Sequence, residues 1–275
     1  MSLSRRPADH PAFKDSAWAG DVAQNLLRRW GFNASNVAIL PSRHPEYREC
    51  EHHGRYAISQ VDAQDVVRHL PPVCPVCAAE RVSRRLLDSA AIPARYRTCD
   101  FGNYVVETPA QQAALHTCRE YAEHFDANAA EGRGLILQGN PGTGKNHLAA
   151  AIARTVLSMG RTVLHATAWE MISRIRETWR GDAGPSEREI VRRFAEVDLL
   201  ILDEVGKQYG TDSERVHLFE VIDHRYREMR PTVVLSNEAP AGIEACLGRA
   251  AYDRLCHYGT LVQFTWPSYR RGRPQ

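Results

Sequence analysis

Between residues 133 and 266 the apolar positions keep changing their period. Short continuous runs, GLILQG, TVLHAT, DLLILDE, PTVVLSN and TLVQFTW, are separated by longer segments whose apolar residues recur every three to four positions. The runs are short and continuous, so they predict strands buried on both faces. KNHLAAAIARTVLSMG predicts a helix closed by Gly160. AWEMISRIRETWR and PSEREIVRRFAEV predict two more, broken by GDAGP, and SERVHLFEVIDHRYREM a fourth, with two short helical pieces before the last strand. Strands alternating with helices predict an α/β fold, a doubly wound parallel sheet with helices on both faces.

Upstream the pattern is less regular. DVAQNLLRRWGF predicts an amphipathic helix with Val22, Leu26, Leu27 and Trp30 on one face and Gly31 at its end. AAERVSRRLLDSA is a basic helical stretch, IPARYRTCDFGNYVV an irregular lead-in, and a helix is expected from Pro109 to about Phe125. The expected organisation is a small module over residues 1–85, a lead-in linker over 86–108 and a main domain over 109–275.

Composition adds little: 43% hydrophobic and 25% charged residues with a net charge of +2 fit an ordinary globular chain. No run of 18 apolar residues predicts a membrane span, so no membrane partner is expected. MSLSRRPADH leads into no apolar signal region, so a cytoplasmic location is expected. Lysine occurs only at Lys14, Lys145 and Lys207, which singles out the lysine in the next motif.

GNPGTGKNH, Gly139 to His147, follows a predicted strand and opens a predicted helix. Gly139, Gly142 and Gly144 let backbone N–H groups turn toward phosphate oxygens, with Asn140, Pro141 and Thr143 between them. The helix N-terminus adds its dipole, and Lys145 can reach the β- and γ-phosphates of ATP. Asn146 and His147 follow where such loops have Ser or Thr after the lysine. The amide oxygen of Asn146 is still a neutral ligand for Mg²⁺ or one of its waters. It is longer than a hydroxyl, so weaker Mg²⁺ hold and slow hydrolysis are expected. DLLILDE ends on Asp203, placed to hold Mg²⁺, and Glu204, placed to activate water. PTVVLSN puts Asn237 at another strand end, where it could orient that water; taken alone it reads equally as a turn residue.

Seven cysteines, an odd number, argue against a disulfide framework. Cys99, Cys118, Cys246 and Cys256 are scattered and read as small buried hydrophobes. Cys50 and His53 are separated by two residues, as are Cys74 and Cys77, with twenty between the pairs. Two such pairs can close a tetrahedral Zn²⁺ site of the zinc-ribbon kind, with His52 the rival for His53. The zinc would be structural and would supply the folding energy of a module with almost no core.

The loop, LLILDE, PTVVLSN and the tail LGRAAYDRLCHYGTLVQFTWPSYR together resemble the AAA+ ATPases, and among them the DnaC-type replicative helicase loaders, in which Asn follows the loop lysine. The resemblance runs from about Ile92 to Arg270. IstB-type transposition ATPases are similar in layout, but Thr usually follows their lysine. The resemblance implies an AAA+ ATPase domain that loads a DnaB-type hexameric helicase onto single-stranded DNA, with slow, DNA-stimulated ATP hydrolysis. It places Arg254 as an arginine finger reaching a neighbouring subunit, hence self-association, and Arg270 as a second sensor. Ala250 stands where the loaders tend to carry a further arginine, with Arg249 one step earlier. The cysteines mark the N-terminal module as a variant of the family's helicase-gripping end, expected either to take that role or to touch DNA. In SRIRETWR, Arg176 and Trp179 share a helical face that suits stacking of single-stranded bases; core packing of Trp179 with solvated arginines accounts for the pattern equally. Two rival functions remain: an IstB-like helper of a transposase, and a non-hydrolysing, zinc-bearing DNA-binding adaptor.

Overall fold

The computed structural model describes residues 17–30, 46–61, 67–70, 72–180, 184–207 and 211–271. They fall into two compact units, residues 1–88 with 157–160, and residues 89–156 with 161–275.

In the first unit, α1 (Ala17–Arg29) buries Val22, Ala23, Leu26 and Leu27. Trp30 does not join them: it lies past the helix end and is 42% exposed. The expected stop at Gly31 lies outside the described residues, as does Lys14. β1 (Tyr47–Cys50) and β2 (Gly54–Ala57) form an antiparallel hairpin in which Cys50 faces Gly54. Gly54 has φ +72°, so the three-residue connection closes without a Cβ penalty. β3 (Ser59–Val61) pairs antiparallel with β4 (Val67–His69), and α2 (Pro75–Ala90) follows.

The second unit starts with the lead-in, regular only in a 3₁₀ turn at Ala94–Tyr96. α3 (Pro109–Glu123) opens with a capping box between Thr108 and Gln111. The helix expected to reach Phe125 ends two residues earlier, and α4 (Phe125–Ala130) begins after His124. The break has a cause: the Asn128 side-chain amide donates to the carbonyl of Tyr121 at 2.9 Å, satisfying a carbonyl that the ended helix leaves open. Then come β5 (Gly134–Gly139), α5 (Lys145–Ser158), β6 (Val163–Thr167), α6 (Ala168–Glu177), α7 (Glu187–Glu196) and β7 (Leu199–Val205). α8 (Asp212–Arg227), β8 (Thr232–Ser236), α9 (Pro240–Leu247), α10 (Arg249–His257) and β9 (Gly259–Phe264) complete the unit.

The five strands β5 to β9 form one parallel sheet in the order β6–β7–β8–β5–β9. β7 and β8 are buried along nearly their whole length, as continuous apolar runs require. Ile172, Phe194, Leu202, Leu218 and Val234 belong to one apolar cluster between the sheet and α6 to α8. Arg225 is 1% exposed within this unit. Its guanidinium donates to the carbonyls of Phe194, Ala195, Val197, Asp198 and Pro231 and to the Thr232 hydroxyl. One side chain thereby gathers the end of α7 and the starts of β7 and β8. Among the described residues no helix is long and apolar enough to cross a membrane.

Candidate functional site

The carboxyl ends of β5, β7 and β8 converge on a cavity of about 500 Å³. β5 delivers the glycine loop, and α5 begins at Lys145, so the helix N-terminus faces the cavity. Two glycines there sit at positive φ with a neighbouring side chain where a Cβ would go. A Cβ at Gly142 (φ +81°) would meet Ser268 Oγ at 2.0 Å, and one at Gly144 (φ +97°) would meet the Tyr104 ring at 2.7 Å. The loop is therefore clasped from both sides. Tyr104 and Trp266 both donate to the carbonyl of Thr143, at 3.3 and 2.9 Å, and Tyr269 N donates to that of Gly142 at 2.9 Å.

Lys145 is buried and donates to the carbonyls of Gly139 (2.6 Å) and Asn140 (2.8 Å) and to Asn237 Oδ1 (2.8 Å). Asn237 is thus joined to the loop lysine and is not a bare turn residue. Burial pushes the Lys145 ammonium down to about 8; Asp203 opposes the shift, while Arg270 and Lys207 add to it. Asp203 is buried too, and burial raises its carboxyl above the usual range against the pull of the Glu204 N–H and His165. Glu204 N donates to Asp203 Oδ1 at 2.7 Å. Between Leu202 and Val205, β7 carries one residue more than β8, and Glu204 sits in that bulge with φ +56°. A non-glycine residue held left-handed at a bulge turns its side chain out of the strand register.

Asn146 Oδ1 is buried and has no hydrogen-bond partner among the described residues, while its Nδ2 lies 3.4 Å from Tyr96 Oη. An orphaned neutral oxygen, on a side chain near enough to Asp203 to pull its carboxyl down, fits a hard divalent cation. His147 turns away, its Nε2 2.9 Å from the carbonyl of Asp100 and its ring against Tyr104. Arg270 lines the cavity with the loop; Arg254 does not. On α10, Arg254 pairs with Asp223 at 2.8 Å and lies over the rings of Phe219 and Tyr226. Arg176 pairs with the fully buried Glu214 at 3.1 Å. The Trp179 indole donates to Glu187 at 2.7 Å and packs near His217, yet the residue is 57% exposed.

Sequence reasoning missed the cavity wall made by the lead-in, including Tyr96, Cys99, Asn103 and Tyr104. The only signal was a cluster of aromatic and polar residues without period.

In the first unit, Cys50, His53, Cys74 and Cys77 bring their ligand atoms within 4.8 Å of one another. Cys50 Sγ to Cys77 Sγ is 3.6 Å, and His53 Nδ1 lies 3.7, 3.6 and 3.3 Å from the sulfurs of Cys50, Cys74 and Cys77. Zinc bond lengths imply tetrahedral edges of about 3.8 Å between sulfurs and about 3.6 Å from sulfur to nitrogen. The donor set fits a tetrahedral thiophilic ion. Burial raises the Cys74 thiol and pushes that of Cys77 up to about 12, while at Cys50 the backbone N–H groups of His52 and His53 outweigh burial and lower the thiol. His53, not the exposed His52, occupies the cluster, and its Nε2 faces Glu80 at 3.4 Å.

The sequence model of the family described as IstB-like ATP binding protein matches residues 58–274. The chain is 38% identical to the replicative helicase loader DnaC of Escherichia coli K12 over 199 residues, 70% of this chain and 80% of that one. Among solved structures it resembles a DnaC helicase loader, with a TM-score of 0.56 and 23% identity over 62% of this chain and 98% of that one. It also resembles AMPPCP-bound DnaA from Aquifex aeolicus, with a TM-score of 0.54 and 20% identity over 66% of this chain and 53% of that one. With this loop, this sheet and these relatives, the chain belongs to the IstB-like ATP-binding protein family, on the AAA+ fold and with DnaC helicase loaders among its relatives.

Proposed function

We propose that the chain loads a DnaB-type hexameric replicative helicase onto single-stranded DNA, using ATP as a switch. The observation that carries this reading is the identity to DnaC across 70% of the chain; a cavity lined by the glycine loop, Lys145, Asp203, Glu204, Asn237 and Arg270 supports it. Lys145 and the loop N–H groups hold the phosphates. Glu204 accepts the proton of the water that attacks the γ-phosphate, and Asn237 orients that water and keeps Lys145 in register. Asn146 and Asp203 hold Mg²⁺, which when bound neutralises charge on the phosphates. Arg254 acts on a neighbouring subunit's nucleotide, in keeping with its place outside its own cavity, and Arg270 reads the chain's own. Turnover is slow and stimulated by DNA. Arg176 and Trp179 contribute to the DNA contact; Trp179 is exposed enough to stack a base, whereas Arg176, tied to Glu214, serves by fixing the helix.

The Cys50–His53–Cys74–Cys77 cluster binds structural Zn²⁺ and shapes a module that meets the helicase. A second reading, an IstB-like helper of a transposase, draws on the family description. Asn146 and the identity to DnaC favour the loader. The test is a pull-down from the host cell with the ATP-bound and nucleotide-free chain. Capture of the hexameric helicase supports the loader; capture of a transposase and no helicase rejects it.

A further inference from the structure

The lip of the nucleotide cavity carries a cation with no part in the chemistry proposed so far. Lys207 lines the cavity and places Nζ 2.5 Å from Glu204 Oε1. The pair sits on one tight turn. Lys207 N donates to the carbonyl of Glu204 at 3.1 Å, Glu204 has φ +56° and Gly206 φ +110°. The turn is braced from behind. Ser236 Oγ donates to the carbonyl of Val205 at 2.5 Å and accepts from Glu238 N at 3.0 Å, and a Cβ at Gly206 would meet Glu238 Cγ at 2.4 Å. Carboxylate and ammonium are therefore presented together, and only their side chains are free to part. Lys207 is also close enough to Lys145 to disfavour its charge. It is one of three lysines in a chain that otherwise uses arginine.

We infer that Lys207 is a positioning residue that restrains Glu204: its ammonium holds the carboxylate in an ion pair that persists with nucleotide bound. This rests on Glu204 being the proton acceptor for ATP hydrolysis. A carboxylate engaged by an ammonium is a poorer acceptor for a water proton, so the pair slows the chemical step in every turnover. The pair is half-exposed, so its effect is modest, about twofold to fivefold, and is screened by salt.

The experiment measures ATP turnover of the full chain without DNA for wild type, Lys207→Met and Lys207→Arg. Lys207→Met is expected to raise kcat about twofold to fivefold with KM little changed. Lys207→Arg, which keeps the charge, is expected to stay near wild type. Added salt lifts the wild-type kcat toward that of Lys207→Met and leaves Lys207→Met flat. A second measurement needs no turnover. With only three lysines, amine acylation followed by mass spectrometry reads Lys207 directly, with Lys14 as internal reference. Lys207 is expected to acylate faster in Glu204→Gln than in wild type. A Lys207→Met kcat at or below wild type, or equal acylation of Lys207 in wild type and Glu204→Gln, overturns the inference. Absence of Lys145-dependent turnover in wild type refutes the ATPase reading instead, and the acylation comparison still decides whether the pair exists.

Discussion

Nucleotide affinity is expected to fall as pH rises through 8, because Lys145, which we propose meets the phosphates, is held near its deprotonation point. Lys145 lies buried among two carbonyls and the Asn237 amide oxygen, and burial pushes its ammonium from 10.5 down to about 8. A polyphosphate binds the protonated form. About nine-tenths of the lysine is protonated at pH 7, about half at pH 8 and about one-tenth at pH 9. ATP affinity is therefore expected to be about twofold weaker at pH 8 than at pH 7, and about tenfold weaker at pH 9. The sign for stability is the reverse. The folded pKa is depressed, so the cost of burying the charge is present below pH 8. It is relieved between 8 and 10.5, and the nucleotide-free domain gains stability across that window. The assay is equilibrium binding of a fluorescent ATP analogue with Mg²⁺ from pH 7 to 9. Lys145→Arg, which stays charged, serves as control and is expected to bind more weakly with a flat profile. A wild-type affinity that changes less than twofold between pH 7 and 9 would refute the reasoning.

Four further outcomes are expected. Removing metal from the first unit, by chelation or Cys77→Ser, unfolds the hairpin of β1 and β2 as read by circular dichroism, and Glu80→Gln weakens metal affinity about tenfold to a hundredfold by loosening His53. A metal titration unchanged by Glu80→Gln contradicts that role. Arg225→Met takes the donor from the carbonyls of Phe194, Ala195, Val197 and Asp198, while that of Pro231 keeps Leu200 N, and is expected to cost about 1–3 kcal/mol in denaturant unfolding; less than about 0.5 kcal/mol contradicts it. With Asn146 in the proposed ligand role, Asn146→Thr offers Mg²⁺ a shorter ligand and is expected to lower the Mg²⁺ concentration needed for turnover; an unchanged requirement contradicts that role.

The sheet was legible because its signal is local. DLLILDE and PTVVLSN are continuous apolar runs too short for a helix, which suits a strand covered on both faces. The loop was legible because Gly142 and Gly144 meet a demand that the structure makes visible, as Ser268 and Tyr104 leave no room for a Cβ. Tyr104 itself was not legible. Its hydroxyl reaches Thr143 in the loop across 39 positions of chain, and nothing in its neighbourhood has a period to read. The extra residue of β7 was hidden likewise, since the turn at Glu204 is set by the register against β8. Trp30 failed for the opposite reason: its spacing fits the apolar face of α1, but the helix has already ended.

The most direct test of the loader reading is assembly of the host's replicative helicase on closed circular single-stranded DNA, which has no end to thread. With this chain and ATP, the helicase is expected to become bound to the circle and to unwind an annealed strand, and with Lys145→Ala it is not. Equal loading without the chain, or with Lys145→Ala in its place, contradicts the account.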